Sequence, residues 1–580
     1  MMYNRFKDRS PKDTVEVAKK VLNFFNLDIK ETVSLNPLDS VYSCRVEVPS
    51  LNFGANGKGT TKEYTYASAY GELIERLFNH YYRYSYISQF HPINKFYDGV
   101  KFSIDNQLLS LPSAIITDME SSFFEADKRY PSKNELIEVY KTLCGSDTIE
   151  SVPFYDVSGK DSVYLPECII SSLALSSGLS CGNTLEEAIS QATFEILERY
   201  VHNKIVVERL TPPEIPHTYI QNVCPELTHI IELLSSSGLT ITVYDCSLDA
   251  KFPVIAVLLV HKETCRYKLN FGSHFSFRVA LERCLTEILQ GYPTTESLYK
   301  FGMTELSYET DKGLDRFSTY YKRFSNNIGP LPYEFFKLTP SYTFKGWQYD
   351  CEGWSNTQIV QELMTFCLSI SPTVYIRNNS CMGLSVVRVY IPKISHMPYT
   401  NPIGLSTAYT KNQQYCLEGY DFDNIKIHQD ELLDFKRVIE NSCGQFNKNT
   451  GMDNNILLSA VLYDLGEIEQ CIDVLRDIEH KPPYIKVILQ IFDLLGSGIS
   501  NDEVYGILQH FYDTDCIELA IFLLRGDFLN KCITCLKRDN AESAEYYKAV
   551  ERNIVAFILA VCSYMKKHPI NQNATGSLFQ

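Results

Sequence analysis

The chain has 580 residues, and Lys+Arg 54 against Asp+Glu 70 gives a formal net charge of −16. Apolar residues make up 45% and charged residues 21%, which excludes a disordered chain, and at roughly 150 residues per domain the length allows about three or four domains. The acidic balance argues against a general nucleic-acid binder, and a mean hydropathy of −0.15 with no apolar run of ~18 residues argues against a membrane span.

The N-terminal stretch MMYNRFKDRSPKDT lacks the apolar segment of a secretory signal, so a cytoplasmic protein is expected. The 18 cysteines are scattered. The one CxxC, Cys532–Cys535, has no second pair to complete a zinc site, so the expected state is free thiols, mostly packed as small hydrophobes.

Val15, Ala18, Val21, Leu22 and Phe25 recur at helical spacing after a start at Asp13 or Thr14. Residues 41–50 alternate as a strand, with Tyr42, Cys44, Val46 and Val48 on one face. A turn at Asn56-Gly57-Lys58-Gly59-Thr60 leads into a helix from about Thr61 to His80. Residues 85–165 give mixed signals. The run VYLPECII (163–170) reads as a strand, followed by a turn from Ser177 to Asn183 and a helix over Leu185–Asn203. Two strands, ITVYDC (241–246) and VIAVLLV (254–260), precede a third turn at Phe271-Gly272-Ser273-His274 and a helix through Gln290. Strands at 373–377 and 386–391 extend this α+β pattern to about residue 400. From Asp430 to Lys567 the period is helical, with turns at Asn447–Asn455, Lys481–Pro483 and Gly496–Asn501, as in stacked helical hairpins. The polar tail INQNATGSLFQ is expected to fray.

Chemistry is concentrated on the three helices that follow the glycine turns. They read Gly71-Glu72-Leu73-Ile74-Glu75-Arg76, Phe194-Glu195-Ile196-Leu197-Glu198-Arg199 and Arg283-Cys284-Leu285-Thr286-Glu287-Ile288-Leu289-Gln290. A spacing of three puts both acidic or amide side chains on one helix face. Any one copy reads equally as a solvated face with local ion pairs. Three copies, each after a glycine turn, point to an acidic stripe with a specific purpose. Buried carboxylates need a cation, and hard oxygen ligands in this number suit Mg²⁺ or Ca²⁺. Arg76, Arg199 and Arg283 are placed to grip phosphate. Lys58 reads either as a loop lysine or as a phosphate contact beside glycine N–H groups. The sequence NGKGTT is not a P-loop. His274 reads either as a turn histidine or as a proton shuttle.

The segments NGKGTTKEYTYASAYGELIER, SSGLSCGNTLEEAISQATFEILERYV and FGSHFSFRVALERCLTEILQG resemble the three signature blocks of the YcaO family. The opening KDRSPKDTVEVAKKVL resembles that family's N-terminal nucleotide-contacting segment. The likeness spans roughly residues 5–400, and the length and helical C-terminal part resemble the enterobacterial members most. The resemblance implies a YcaO-type ATP-binding domain over 1–410 and a helical, TPR-like domain over 411–580. It implies ATP and Mg²⁺ as cofactors. Glu72, Glu75, Glu195 and Glu198 would hold Mg²⁺. Lys7, Thr14, Lys58, Ser180, Asn183, Glu187, Arg199, Arg283 and Glu287 would contact the nucleotide, with Gln290 and Arg76 as weaker carry-overs.

The implied reaction is phosphorylation of a peptide backbone amide on oxygen. Addition of a Cys, Ser or Thr side chain then gives an azoline, and addition of sulfide gives a thioamide. Azoline-forming members typically end in a Pro-rich PxPxP tail. This chain ends Ser577-Leu578-Phe579-Gln580, which favours the group linked to β-methylthiolation of a small-subunit ribosomal protein as an accessory factor. A natural-product cyclodehydratase or thioamide synthase, and a nucleotide-bound scaffold, are the competing expectations. The expected partners are a peptide or protein substrate, a sulfur-modification enzyme or peptide-recognition protein, and a second copy of the chain.

Overall fold

The computed structural model describes residues 6–32, 35–81, 96–127, 132–144, 146–305, 329–396, 454–478, 481, 483–525 and 552–579, with single positions 432, 436 and 528. The Cys532–Cys535 pair and most of the turn expected at Asn447–Asn455 lie outside these residues. The chain divides into two compact units. The first comprises residues 1–83, 87–402 and 553–580, and the second residues 84–86 and 403–552.

The first unit opens with α1 (Pro11–Phe24), capped by Ser10, whose hydroxyl accepts from the Asp13 N–H at 3.2 Å. The helix starts ahead of Asp13 because serine at the cap and proline in the first turn are the stronger start signal. Strands β1 (Lys30–Glu31), β2 (Leu35–Leu38), β3 (Val41–Val48) and β4 (Phe53–Gly59) follow, then α2 (Lys62–Phe78), β5 (Val100–Ser103), α3 (Ile104–Ser110), α4 (Ser113–Asp127) and α5 (Lys133–Cys144). Next come β6 (Thr148–Asp156), β7 (Asp161–Pro166), α6 (Glu167–Ala174), β8 (Leu179–Gly182), α7 (Leu185–Val207), α8 (His217–Val223) and α9 (Pro225–Ser236). The order continues with β9 (Leu239–Asp245), β10 (Val254–His261), β11 (Arg266–Ser273), α10 (Phe277–Ile288), α11 (Thr295–Phe301), β12 (Thr304–Glu305), α12 (Asn356–Ile370), β13 (Tyr375–Asn378) and β14 (Ser385–Tyr390).

These strands make three antiparallel sheets, β1-β3-β2 with β4 beside β3, β12-β11-β10-β9, and β5-β6-β13-β14-β8 with β7 beside β6. The helix that follows each critical strand packs back on it: α2 on β4 and β3, α7 on β8 and β14, α10 on β11 and β10. Leu73, Ile74 and Leu77 of α2 and Ile196 and Leu197 of α7 are fully buried, each contributing about 1.5–3 kcal/mol of apolar burial.

Most of the signature glycines belong to strands rather than to turns, Gly178 excepted, which sits in the turn before β8 at φ 82°. Gly57 lies within β4 and Gly272 within β11. A Cβ on Gly57 would run into the Thr65 carbonyl oxygen, and one on Gly272 into that of Ala280. Glycine is there so that each strand can press against its own helix. The run VYLPECII is also corrected. Its strand ends at Pro166, and Glu167 begins α6. Proline cannot donate to the ladder and suits the residue before a helix.

The polar tail does not fray. Gln572 donates to the Asn378 carbonyl at 2.8 Å and accepts from its N–H at 2.8 Å, and Thr575 is buried. Backbone hydrogen bonding to an open end of β13 outweighs the tail's low hydrophobicity. Residues 552–567 are helical, and Phe557 meets Phe25 and Phe78 at ring centroid distances of 5.7 and 6.0 Å.

The second unit is helical where described: α13 (Asn454–Asp464), α14 (Ile468–Arg476), α15 (Pro483–Gly496), α16 (Asn501–Leu508) and α17 (Thr514–Leu524). Leu457, Val461, Leu475, Ile488 and Ile517 share its core. Ser500 and Glu503 form a capping box at the start of α16. Among the described residues of the chain no helix is long and apolar enough to cross a membrane.

Candidate active site

One cavity of about 1010 Å³ opens in the first unit among α2, α7, α10, β11 and the N-terminal segment. A single face of α7 lines it over the whole length from Glu187 to His202, through Gln191, Phe194, Glu195, Glu198 and Arg199. The matching stripe of α2 is Tyr64, Ser68, Gly71, Glu72, Glu75 and Arg76. Both are the i, i+3, i+4 pattern of one helix face, with apolar residues behind. The helices are fixed at their starts by Thr61 and Thr184, whose hydroxyls accept from the Tyr64 and Glu187 N–H groups at 3.3 and 3.2 Å.

At one end, Lys7 Nζ donates to Glu187 Oε1 at 2.8 Å and the Asp8 N–H to Glu187 Oε2 at 3.2 Å. Thr14 Oγ1 donates to Asn183 Oδ1 at 2.8 Å, and Asn183 Nδ2 donates to Glu187 Oε2 at 3.0 Å. This network ties residues 7–14 to the first turn of α7. In the middle, Arg76 lies 3.5 Å from Glu72 and 3.3 Å from Glu75, and Arg199 lies 2.6 Å from Glu195. Lys58 and Glu287 pair across the cavity. Arg283 Nη1 donates to the Ser273 carbonyl at 3.3 Å, and both Arg283 and Gln290 line the space. Of the residues singled out from sequence, Ser180 is the one not brought there. It is fully buried in β8 opposite Val387, and its hydroxyl has no hydrogen-bond partner among the described residues.

Burial, reinforced by the Glu195 and Glu72 carboxylates, pushes Glu75 up to about 8 despite Arg76. Burial and the neighbouring Glu287 and Glu195 push Glu198 up to about 8 despite Arg283 and Lys58. Burial also acts on Glu287, but Lys58 outweighs it and holds that carboxyl below its ordinary value. Burial, more than charge repulsion, is what keeps protons on two of the cavity's carboxyls. Among the described residues no three acidic, His or Cys side chains are already gathered as a metal cage. The donor set nonetheless fits Mg²⁺, which takes one or two carboxylates and fills its remaining positions with water and phosphate oxygens. Glu72, Glu75, Glu195 and Glu198 are the oxygen donors available.

His274 is buried between the rings of Phe6 and Phe194, at centroid distances of 4.8 and 4.6 Å. Its Nδ1 accepts from the Ser276 N–H at 2.9 Å, which places the ring proton of the neutral imidazole on Nε2. Burial, with Arg283 and Lys7 nearby, holds it well below its ordinary pKa. A neutral ring with one nitrogen committed to the α10 start is a fixed donor, and the proton-shuttle reading loses its support.

Sequence reasoning missed β11, and with it Lys268 and Asn270, both of which line the cavity. The signal was available in RYKLNFGS, where Tyr267, Leu269 and Phe271 alternate with Lys268, Asn270 and Gly272.

Residues 56–395 match the family model described as YcaO cyclodehydratase, ATP- and Mg²⁺-binding. The chain is 29% identical over 394 residues to an uncharacterized protein of Haemophilus influenzae, and 29% identical over 404 residues to the ribosomal protein S12 methylthiotransferase accessory factor YcaO of Escherichia coli. Each match covers 67% of this chain and 65% of the relative, so the chain matches just under two thirds of the length of these relatives. A heterocyclase solved in complex with substrate and cofactor shares 20% identity at a TM-score of 0.48, covering 67% of this chain and 53% of that one. The family match takes in α2, α7 and α10 with their strands, which are the elements that carry the cavity's carboxylates and cations. The chain belongs to the YcaO family, whose domain binds ATP and Mg²⁺.

Proposed function

We propose that this chain uses Mg·ATP in the cytoplasm to activate a peptide backbone amide by phosphorylating its oxygen, or else assists sulfur modification of a ribosomal protein as an accessory factor. The observation that supports it is the convergence of four carboxylates with Lys7, Lys58, Arg199 and Arg283 on one cavity. Phosphoryl transfer is largely positioning and charge neutralisation, so these are the parts it needs. The ribosomal assignment draws on the name of the Escherichia coli relative.

In the reading proposed, Glu72, Glu75, Glu195 and Glu198 hold the metal, and Lys7, Thr14, Lys58, Asn183, Glu187, Arg199, Arg283 and Glu287 hold the nucleotide. Mg²⁺ would supply neutralisation of the phosphate oxygens. The amide oxygen attacks the γ-phosphorus, the bond to the β-phosphate oxygen breaks, and ADP leaves. A nucleophile then adds at the activated carbon, and inorganic phosphate departs with the former amide oxygen. Arg199 and Arg283 neutralise the transferring group, and the buried walls exclude water that would otherwise take it. The partners are the protein substrate and the enzyme that delivers sulfur. The two proposed domains are 1–410 for nucleotide chemistry and a helical one over 411–580, of which residues 553–580 fold with the first unit.

The test compares wild type with Glu72→Gln/Glu195→Gln for Mg·ATP binding by calorimetry and for ADP formation in the presence of small-subunit ribosomal proteins. The reading expects binding and ADP in the wild type and neither in the variant. Undiminished Mg·ATP affinity in the variant sinks the metal assignment. Binding without ADP in the wild type leaves a nucleotide-bound scaffold.

A further inference from the structure

We propose that the part of the cavity lined by β11 is the subsite for the acceptor amide, and that the Asn270 carboxamide is its specific contact. The inference rests on the amide-activating reading and gives it an address in the fold.

The α7 stripe orders the cavity. Glu187, held by Lys7 and Asn183, stands at its start, Glu195 and Glu198 follow, and His202 closes it. From Glu187 to His202 is about 22 Å along the helix. Every nucleotide contact assigned to α7 falls before His202. From β11 the cavity takes Lys268 and Asn270, two positions apart on one strand face.

Asn270 is 1% exposed, lines the cavity, and its Oδ1 has no hydrogen-bond partner among the described residues. A buried carboxamide left open is costly and calls for a ligand that completes it. A carboxamide offers an acceptor and donors in one plane, and its complement is another amide, N–H to Oδ1 and C=O to Nδ2. A phosphate, whose oxygens only accept, could take Nδ2 but would leave Oδ1 open, whereas an amide completes both. Lys268 is 6% exposed, with its ammonium 4.7 Å from the centre of the Tyr292 ring, close enough to Glu287 to help hold that carboxyl ionised.

The probe is N-acetylglycine N-methylamide, added to protein loaded with Mg·AMPPNP and followed by saturation-transfer NMR. Asn270→Ala is expected to weaken the probe about fivefold or more while Mg·AMPPNP affinity stays within about twofold. Asn270→Asp, which keeps the shape and the acceptor but replaces the Nδ2 donor with a second acceptor, is expected to weaken the probe as Asn270→Ala does. In the wild type labelled with ¹⁵N-asparagine, the Asn270 side-chain resonance, assigned by its loss in Asn270→Asp, is expected to shift on adding the probe. This reading needs no folded alanine variant. The proposal is overturned if the wild type binds no probe, if the resonance does not move, or if Asn270→Ala weakens the nucleotide instead. Failure of wild type to bind Mg·AMPPNP is seen before any probe is added, and it sinks the amide-activating reading rather than this subsite.

Discussion

Lys58 of β4 and Glu287 of α10, 229 residues apart in sequence, form an ion pair across the wall of the cavity. Burial alone would drive the Lys58 ammonium toward neutrality, but Glu287 outweighs it and keeps the lysine charged. The same pair keeps Glu287 ionised beside Glu198, a carboxylate that would otherwise repel it.

Lys58→Met separates two roles that a general loss of structure would not. Without the ammonium the carboxylates are less compensated, so Mg²⁺ alone is expected to bind at least as tightly as in wild type. The nucleotide loses a phosphate partner, and AMPPNP affinity is expected to fall about tenfold, the size of one charge-assisted hydrogen bond. Calorimetric titration with each ligand separately reads both. Equal weakening of the two would place Lys58 outside the nucleotide contacts.

The raised carboxyls make a pH prediction whose sign can be worked out. Glu75 and Glu198 have an ordinary value of 4.5 and are pushed up to about 8 in the fold. Below pH 4.5 both folded and unfolded chains hold these protons. Between pH 4.5 and about 8 the folded chain keeps protons that the unfolded chain has released, so their contribution to stability falls as pH rises through that window. Metal-free protein is therefore expected to melt at progressively lower temperature from pH 6 to pH 8. Glu198→Gln is expected to flatten that slope and to melt higher than wild type at pH 8 while losing Mg²⁺ affinity, a trade of function against stability. Mg²⁺ binding to wild type is expected to release protons near pH 7, seen as a calorimetric heat that depends on the buffer. A Glu198→Gln melting curve that tracks the wild type at every pH would remove the account of Glu198 as a buried, protonated carboxyl.

How much of this was legible in the sequence varies with the kind of signal. The α2 and α7 stripes were readable because Glu72, Glu75, Glu195 and Glu198 sit at helical spacing among residues that must be buried. The convergence of those stripes was not, since it depends on packing between segments over a hundred residues apart. The strand β11 escaped because Gly272 reads as a turn glycine, although it is there to let the strand press against its helix. His274 was readable as a turn histidine, and the structure supports that reading over the proton shuttle. The hydrogen bond from Ser276 that fixes its tautomer is a matter of two residues' backbone geometry, which no spacing rule records. The tail failed for the opposite reason, because Gln572 gains its stability from an open strand end rather than from its own composition.

Gly71 gives the test that separates cavity from scaffold. It lies inside α2, between the stripe residues Ser68 and Glu72, and a Cβ built on it meets no atom within 4 Å. Glycine in a helix interior is unfavourable by about 0.5–1 kcal/mol relative to alanine, and leucine is close to alanine in propensity. A helix kept only for packing would gain from the replacement. Gly71→Leu is accordingly expected to raise the melting temperature by about 1–2 °C. The same side chain projects into the open space beside Glu72 and Glu75, where a bound nucleotide would have to pass. Mg·AMPPNP affinity is expected to fall about tenfold or more, a steric cost of the size seen for overpacking. Stability up with affinity down identifies the space over Gly71 as ligand space. Stability up with affinity unchanged would move the nucleotide away from the α2 face and toward α7 and α10 alone.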